Sequence, residues 1–426
     1  MAPEATAVVW ALPAPGFDPW ARLGGLSLIA RAALTLASAR VPSPPGERRA
    51  PIVIVVSPDD EADVTWLQAT QRPIWPTKIV TAASPAEAAR ALLGDLGPEI
   101  AAPFVLAPAY VAGPRGVDEA VLSAAVPAGA IGVRVRAGRA ADGPVLASAA
   151  LLEAIAARDD ATLDDALAAL DVPSLPAVGW CERVDTEAGR RAAFRELFEA
   201  CRKPVDGIVS TNLNRHVSIW ISKRIVDLPI SPNAVTIVTF FIGVAGAALC
   251  ARGTYAGFLA GAACMQANSI LDGVDGELAR VRFQHSKIGQ WLDTIADDVS
   301  NALYYVGIGV GALSSKYAPW STVACAVAVG ALVLTVAQYY VELVRLGSGD
   351  FYALGVGAKK GGLGARVVSL LERVLKKDLF LFLYLVLAVF GVLPAALFVA
   401  ALGHLTALVG ATSTTLRRAF SGRARA

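Results

Sequence analysis

Asp272-Gly273-Val274-Asp275-Gly276-Glu277-Leu278-Ala279-Arg280 is followed, after eight residues, by Gly289-x3-Asp293-x3-Asp297, and apolar sequence borders the whole stretch. A charge at the centre of a membrane helix costs roughly 2.5–3.5 kcal/mol even on insertion scales, so carboxylates in such surroundings mark a site. On a helix Asp272, Asp275, Gly276 and Ala279 share one face, and on the next helix Asp293 and Asp297 lie one turn apart. Two such helices side by side bring four carboxylates into one pocket. Hard divalent cations suit all-oxygen sites, and Mg²⁺ pairs a few carboxylates with phosphate oxygens. Gly276 and Ala279 remove bulk where a ligand would lie against the helix. Arg280 is placed to take a phosphate or to pair with an acidic neighbour. Asp298, a fifth acid, reads as a supporting group or as a helix-surface residue.

Around this stretch, from residue 234 onward, six segments approach or exceed the roughly 20 residues a bilayer requires. They are 234–251, 255–280, 288–313, 319–341, 379–393 and 394–415; the fifth is short and depends on the turn near Gly391 and Pro394. Arg345, Lys359, Lys360, Arg366, Arg373, Lys376, Lys377, Arg417 and Arg418 fall on one side of these segments, against Arg252 and Lys316 on the other. Positive-inside bias then predicts a multi-pass protein of the cytoplasmic membrane, with both termini and the Asp cluster at the cytoplasmic face. Residues 203–230 carry an apolar stripe of Val209, Leu213, Val217, Trp220, Ile221 and Ile225, with charge from Arg215, His216, Lys223 and Arg224. This reads as an interfacial helix or as an amphipathic helix packed on a soluble domain.

Upstream, 6–12, 52–56 and 104–107 read as strands and 26–38, 85–93 and 160–170 as helices, which predicts a mainly parallel α/β sheet within 1–200. Hydrophobic residues at 55% and charged residues at 17% fit a membrane protein with a soluble part. A net charge of +2 is too small to argue for nucleic-acid binding. Cys181, Cys201, Cys250, Cys264 and Cys325 form no CxxC pair and read as reduced thiols. The opening MAPEATAVVW lacks the basic region of a signal peptide, so the soluble part is expected in the cytoplasm.

The full pattern, Asp272-x2-Asp275-Gly276-x2-Ala279-Arg280-x8-Gly289-x3-Asp293-x3-Asp297, resembles the signature of the CDP-alcohol phosphotransferase family without a departure. Pro232-Asn233-x2-Thr236 is similar to that family's entry into its first membrane helix. The resemblance covers about 203–420 and implies a six-helix, usually dimeric membrane domain at 231–420. It implies transfer of a substituted phosphate from a CDP-alcohol to an alcohol or phospho-alcohol acceptor, with release of CMP. By the same resemblance Asp272, Asp275, Asp293 and Asp297 would hold two Mg²⁺ (or Mn²⁺) ions, and Asp297 would act as general base. Gly276, Ala279, Arg280 and Gly289 would form the CDP-binding surface. Arg345, Lys376, Lys377 and Asp378 are the acceptor candidates, or else residues that anchor helix ends.

Residues 1–200 resemble the nucleotidyltransferase-like (Rossmann-like) half of bifunctional proteins that make CDP-inositol and then di-myo-inositol phosphate phosphate. Gly24-Gly25-Leu26-Ser27-Leu28-Ile29, Trp180-x4-Asp185-Thr186 and Lys203-Pro204-Val205-Asp206-Gly207 carry that likeness. The Gly-rich triphosphate loop is replaced by Leu12-Pro13-Ala14-Pro15-Gly16-Phe17, and the metal-binding Asp by Ala107-Pro108-Ala109-Tyr110. Only Asp185 is left as a metal-ligand candidate, so this domain is expected to be catalytically silent. The stretch 355–362 lacks the GxxxxGK[ST] of a P-loop. An inositol-phosphate product is the leading expectation, a phosphatidylinositol-phosphate or phosphatidylglycerol-phosphate synthesis the alternative. A cation-binding membrane protein or ion transporter is the competing reading from another class.

Overall fold

Continuous β-branched runs build the sheet of the first of two units, Met1–Ala200 and Cys201–Ala426, of this computed structural model. The structure describes residues 7–39, 52–70, 77–96, 103–114, 130–137, 141–170, 172–175, 179–203, 206–346 and 376–423. Strands β1 (Ala7–Ala11), β4 (Ile52–Val56) and β6 (Phe104–Pro108) are buried at every position. Strands covered on both faces read in this way. With β5 (Thr77–Thr81), β8 (Gly132–Ala137), β9 (Ala141–Ala147) and β10 (Ser174–Leu175) they form a seven-stranded sheet of order β10-β8-β9-β6-β1-β4-β5.

Parallel pairs join β1 to β4 and β6, β4 to β5, and β10 to β8, while β9 runs antiparallel to β6 and β8. Among the described strands of this sheet four of the six pairings are parallel, so it is mainly parallel as expected, with β9 its antiparallel member. Ala137 pairs with Ala141 across the β8–β9 connection, and so short a link cannot hold a crossover helix. Helices α1 (Leu28–Ala39), α2 (Glu61–Thr70), α3 (Pro85–Leu96), α4 (Ala149–Ala156) and α5 (Leu163–Ala169) accompany the sheet. One core gathers Trp10, Leu92, Phe104 and Leu151, and a second gathers Val9, Ile29, Leu36 and Ile54. The helix expected over 160–170 starts later because Thr162 caps it, its hydroxyl accepting the Asp165 N–H at 3.2 Å.

Gly24 and Gly25, at φ +58° and +83°, turn the hairpin of β2 (Arg22–Leu23) and β3 (Leu26–Ser27). Two successive left-handed residues are what a tight hairpin turn requires. Pairing of Leu26 and Ser27 with β2 delays α1, which was expected from residue 26. The short β7 (Val111–Ala112) and β11 (Glu182–Arg183) pair antiparallel, and α6 (Glu187–Glu199) closes the unit.

In the second unit a wide turn over Ser210–Asn214 leads into α7 (Arg215–Ile225). Then follow α8 (Pro232–Cys250), α9 (Tyr255–Val281), α10 (Lys287–Ala312), α11 (Ala318–Leu346), α12 (Lys377–Val389) and α13 (Ala396–Arg423). Ser231, Thr254 and Ser286 cap α8, α9 and α10 through their hydroxyls. Among the described residues three helical stretches are long and apolar enough to cross a membrane: Pro232–Cys250, Ala318–Arg345 and Leu393–Ser413. The 27-residue α9 and 26-residue α10 are long enough but carry the aspartates, and α12 has 13 residues.

Small residues let α8, α9 and α10 approach closely. A Cβ on Gly307 would strike the Ala247 carbonyl, and one on Gly311 the Cys250 carbonyl. Close backbone approach of this kind is how helices associate where no hydrophobic driving force acts between them. Lys359, Lys360, Arg366 and Arg373, and the stretch 355–362, lie outside the described residues.

Candidate active site

Helices α9 and α10 both pack on α8, and a cavity of about 720 Å³ opens among them. Asp272, Asp275, Gly276, Ala279 and Arg280 of α9 line it, facing Gly289, Asp293, Asp297 and Asp298 of α10. Pro232, Asn233 and Thr236 of α8, Lys377 of α12, and Lys203, Arg215 and His285 also line it. A volume of this size suits a nucleotide-sized ligand. All eight residues expected for the metal and CDP surfaces therefore meet in one place.

The contacts explain the spacing. The Thr236 hydroxyl donates to Asp275 Oδ2 at 2.5 Å, tying the first turn of α8 to the motif. A Cβ on Gly289 would come within 2.8 Å of Asn233 Oδ1 and 2.9 Å of Ser286 Oγ, so a larger residue here would displace side chains where the two helix starts meet. Arg280 folds back beside Gly276, its Nη1 lying 3.2 Å from where a Cβ would stand. Lys377 Nζ makes an ion pair with Asp297 Oδ1 at 2.8 Å. Tyr340 of α11 donates to Asp298 Oδ2 at 2.8 Å and meets the Trp291 ring edge-on, so Asp298 is a braced group.

Five carboxylates, those of Asp272, Asp275, Asp293, Asp297 and Asp298, line the cavity with one imidazole, His285, and the oxygen-rich set suits a hard divalent cation. They do not stand as a finished cage. Among the described residues no three acidic, histidine or cysteine side chains converge on a single cation position. Of the acceptor candidates, Lys377 lines the cavity. Arg345 is exposed and 3.6 Å from Glu342. Lys376 caps the start of α12, and Asp378 is buried, accepting the Ser210 N–H at 2.6 Å. These three are not among the residues lining the cavity.

Glu277, inside the quoted motif, was not singled out by the sequence. It is fully buried and accepts Arg215 Nη1 at 2.8 Å, Ser218 Oγ at 2.7 Å and Ser222 Oγ at 2.6 Å. Arg215 also holds Asp206, at 2.9 and 3.2 Å. Burial alone would lower the Arg215 pKa, but its bonds to Asp206 and Glu277 raise it above the ordinary guanidinium value. The expectation that Arg215 belongs to a solvent-facing charged side of α7 is thus corrected. Arg215, Ser218 and Ser222 of α7 turn inward to Glu277, while Leu213 just before the helix and His216, Val217, Trp220 and Arg224 within it face outward. Arg224 lies over the Trp220 ring at 3.6 Å. The spacing Arg215-x2-Ser218-x3-Ser222 was the available signal: a polar stripe at helical period with no water to face. Arg282 fastens the end of α7, donating to the carbonyls of Ile225, Val226, Leu228 and Ile230.

In the first unit Asp185 is engaged by Arg183, which donates to it at 2.9 and 2.7 Å and to Asp164 at 2.5 Å. The same guanidinium lies over the Tyr110 ring, and Tyr110 donates to Asp164 at 2.9 Å. Burial and the Asp164 carboxylate push the Tyr110 hydroxyl well above the ordinary phenol range. A cavity beside Arg31 and Ala107–Ala109 holds about 30 Å³, room for roughly one water. Arg31 points to the Leu23 and Gly24 carbonyls.

Residues 229–409 match the family model described as CDP-alcohol phosphatidyltransferase, and this region is a domain of that class. Among curated proteins, the chain is similar to the "Bifunctional IPC transferase and DIPP synthase" of Aquifex aeolicus (strain VF5), 35% identical over 148 residues. That alignment spans 34% of this chain and 33% of the relative. The protein of the same name from Thermococcus kodakarensis is 37% identical over 131 residues, 30% of this chain and 29% of the relative. The chain thus spans about a third of the length of the curated relatives it matches. Among solved structures, Mycobacterium tuberculosis phosphatidylinositol phosphate synthase (PgsA1) with CDP-DAG bound is 18% identical, with a TM-score of 0.36 over 47% of this chain and 93% of that one. A 4-diphosphocytidyl-2C-methyl-D-erythritol synthase is 16% identical, with a TM-score of 0.32 over 46% of this chain and 99% of that one.

Proposed function

We propose that the chain is an integral membrane transferase that moves a substituted phosphate from a CDP-alcohol to an acceptor hydroxyl and releases CMP. The observation that carries this reading is the convergence of Asp272, Asp275, Gly276, Ala279, Arg280, Gly289, Asp293 and Asp297 on one cavity of about 720 Å³. Asp272, Asp275, Asp293 and Asp297 would hold two Mg²⁺ (or Mn²⁺) ions, whose charge offsets that of the diphosphate and the leaving CMP. Gly276, Ala279 and Gly289 leave the helix surface bare for the cytidine nucleotide. Arg280, folded beside Gly276, meets its phosphates. Asp297 accepts the proton of the acceptor hydroxyl.

The three apolar helices together with the lengths of α9 and α10 support five membrane passes, and the family resemblance supplies the sixth, at the 13-residue α12. A cytoplasmic site with cytoplasmic termini follows from the distribution of basic residues, and a homodimer from the family resemblance. The names of the curated relatives favour an inositol-containing acceptor and product. Mass spectrometry of the products formed by the solubilised chain from a panel of CDP-alcohols and acceptors tests this. CMP release from none of them would remove the reading and favour a cation-binding membrane protein.

The first unit is proposed to be silent in nucleotide transfer, because Asp185 is tied to Arg183 and no Gly-rich loop follows β1. With CTP and inositol-1-phosphate supplied, the full chain should release no pyrophosphate above a no-protein control. Sustained release that stops on replacing Asp185 by asparagine would refute this.

A further inference from the structure

We infer that Lys377 is a resident counter-ion of the carboxylate cluster, holding Asp297 until a divalent metal displaces it. The inference rests on the phosphotransferase reading of the same site. Five aspartates line one cavity between helices that pack through small residues, and their mutual repulsion there is screened far less than in water. Arg280 and Lys203 also line the cavity, and two further basic groups nearby have different work. Arg215 is held by Asp206 and Glu277, and Arg282 by four backbone carbonyls.

Lys377 enters from a different helix, at the first turn of α12, and sets its ammonium 2.8 Å from Asp297 Oδ1. Both partners keep some exposure, 37% for the lysine side chain and 29% for the aspartate, so the pair borders the open cavity. A lysine is a mobile point charge on a four-carbon stem, suited to swinging aside. A divalent ion on the same carboxylates brings more positive charge than one ammonium and repels it. The freed ammonium stays at the cavity wall, where it can meet an anionic ligand. Metal binding and binding of a phosphate-bearing ligand are thereby coupled through one side chain.

The test is Mn²⁺ binding to the full-length, detergent-solubilised chain without donor or acceptor, followed by the free-Mn²⁺ EPR signal and by the thermal unfolding midpoint. Lys377→Met should lower the half-saturating Mn²⁺ concentration by about tenfold or more, because a competing unit charge has gone. Its midpoint in EDTA should fall below that of the wild type. Lys377→Arg, which keeps the charge, should stay near the wild-type half-saturation. If Lys377→Met cannot be kept in EDTA, titrating the Mn²⁺-loaded protein down with chelator gives the same constant. Half-saturation that is unchanged or weaker in Lys377→Met overturns the inference. A wild type whose Mn²⁺ binding is absent, or is unaffected by Asp293→Asn, would instead sink the metal reading itself.

Discussion

Asp297→Asn is expected to lower CMP release by roughly 10²–10⁴-fold, the span lost when a positioned proton-transfer group is removed, and Asp293→Asn to lower it strongly through the loss of a metal-holding carboxylate. Asparagine keeps the shape of the side chain and removes only the charge and the basicity. Both residues line the cavity with Asp272 and Asp275, so the loss should appear in turnover with any CDP-alcohol that the wild type accepts. The Asp293 variant also separates chemistry from folding. Removing one of five clustered carboxylates relieves repulsion, so its unfolding midpoint in EDTA should equal or exceed that of the wild type. CMP formation at the wild-type rate in both variants would show that these carboxylates do not carry the reaction.

Glu277→Ala should destabilise the second unit by about 3–5 kcal/mol, the cost of breaking a buried ion pair from one side. Arg215 Nη1, Ser218 Oγ and Ser222 Oγ would all lose a fully buried acceptor. The readout is the thermal midpoint in detergent, expected to drop by several degrees. Glu277→Gln, which keeps one acceptor oxygen, should lose less. Replacing Glu277, Arg215 and Asp206 together by apolar residues should recover part of the loss, since all three members of the charged network are then gone. A Glu277→Ala protein that melts with the wild type would mean that this network holds nothing together.

The site was legible because its chemistry fixes residue type and spacing within 26 positions of one chain segment. Glu277 stood in that segment and was passed over, since its partners lie 55 to 62 residues upstream and leave no local mark. Arg215 was misplaced for a physical reason. Reading amphipathic helices assumes that charge faces water, whereas α7 turns its polar stripe to a buried carboxylate and its Trp220 outward. The β8–β9 hairpin hid for another reason: β8 alternates as Val133-Arg134-Val135-Arg136, but Gly143 and Pro144 interrupt β9. Asp185 illustrates the limit of reading a site from one residue, because its ion pair with Arg183 was not visible in the spacing. The brace from Tyr340 to Asp298 likewise joins residues 42 positions apart.

The buried Glu277 bond has a practical consequence for cutting and grafting this domain. The family match starts at residue 229, but the three side chains that steady the motif helix through Glu277, Arg215, Ser218 and Ser222, and the Asp206 that steadies Arg215, lie before that boundary. A chimaera spliced at 229 would import the aspartates while discarding their buttress, and would leave a bare glutamate inside the acceptor scaffold. The smallest transplantable piece begins at or before Asp206.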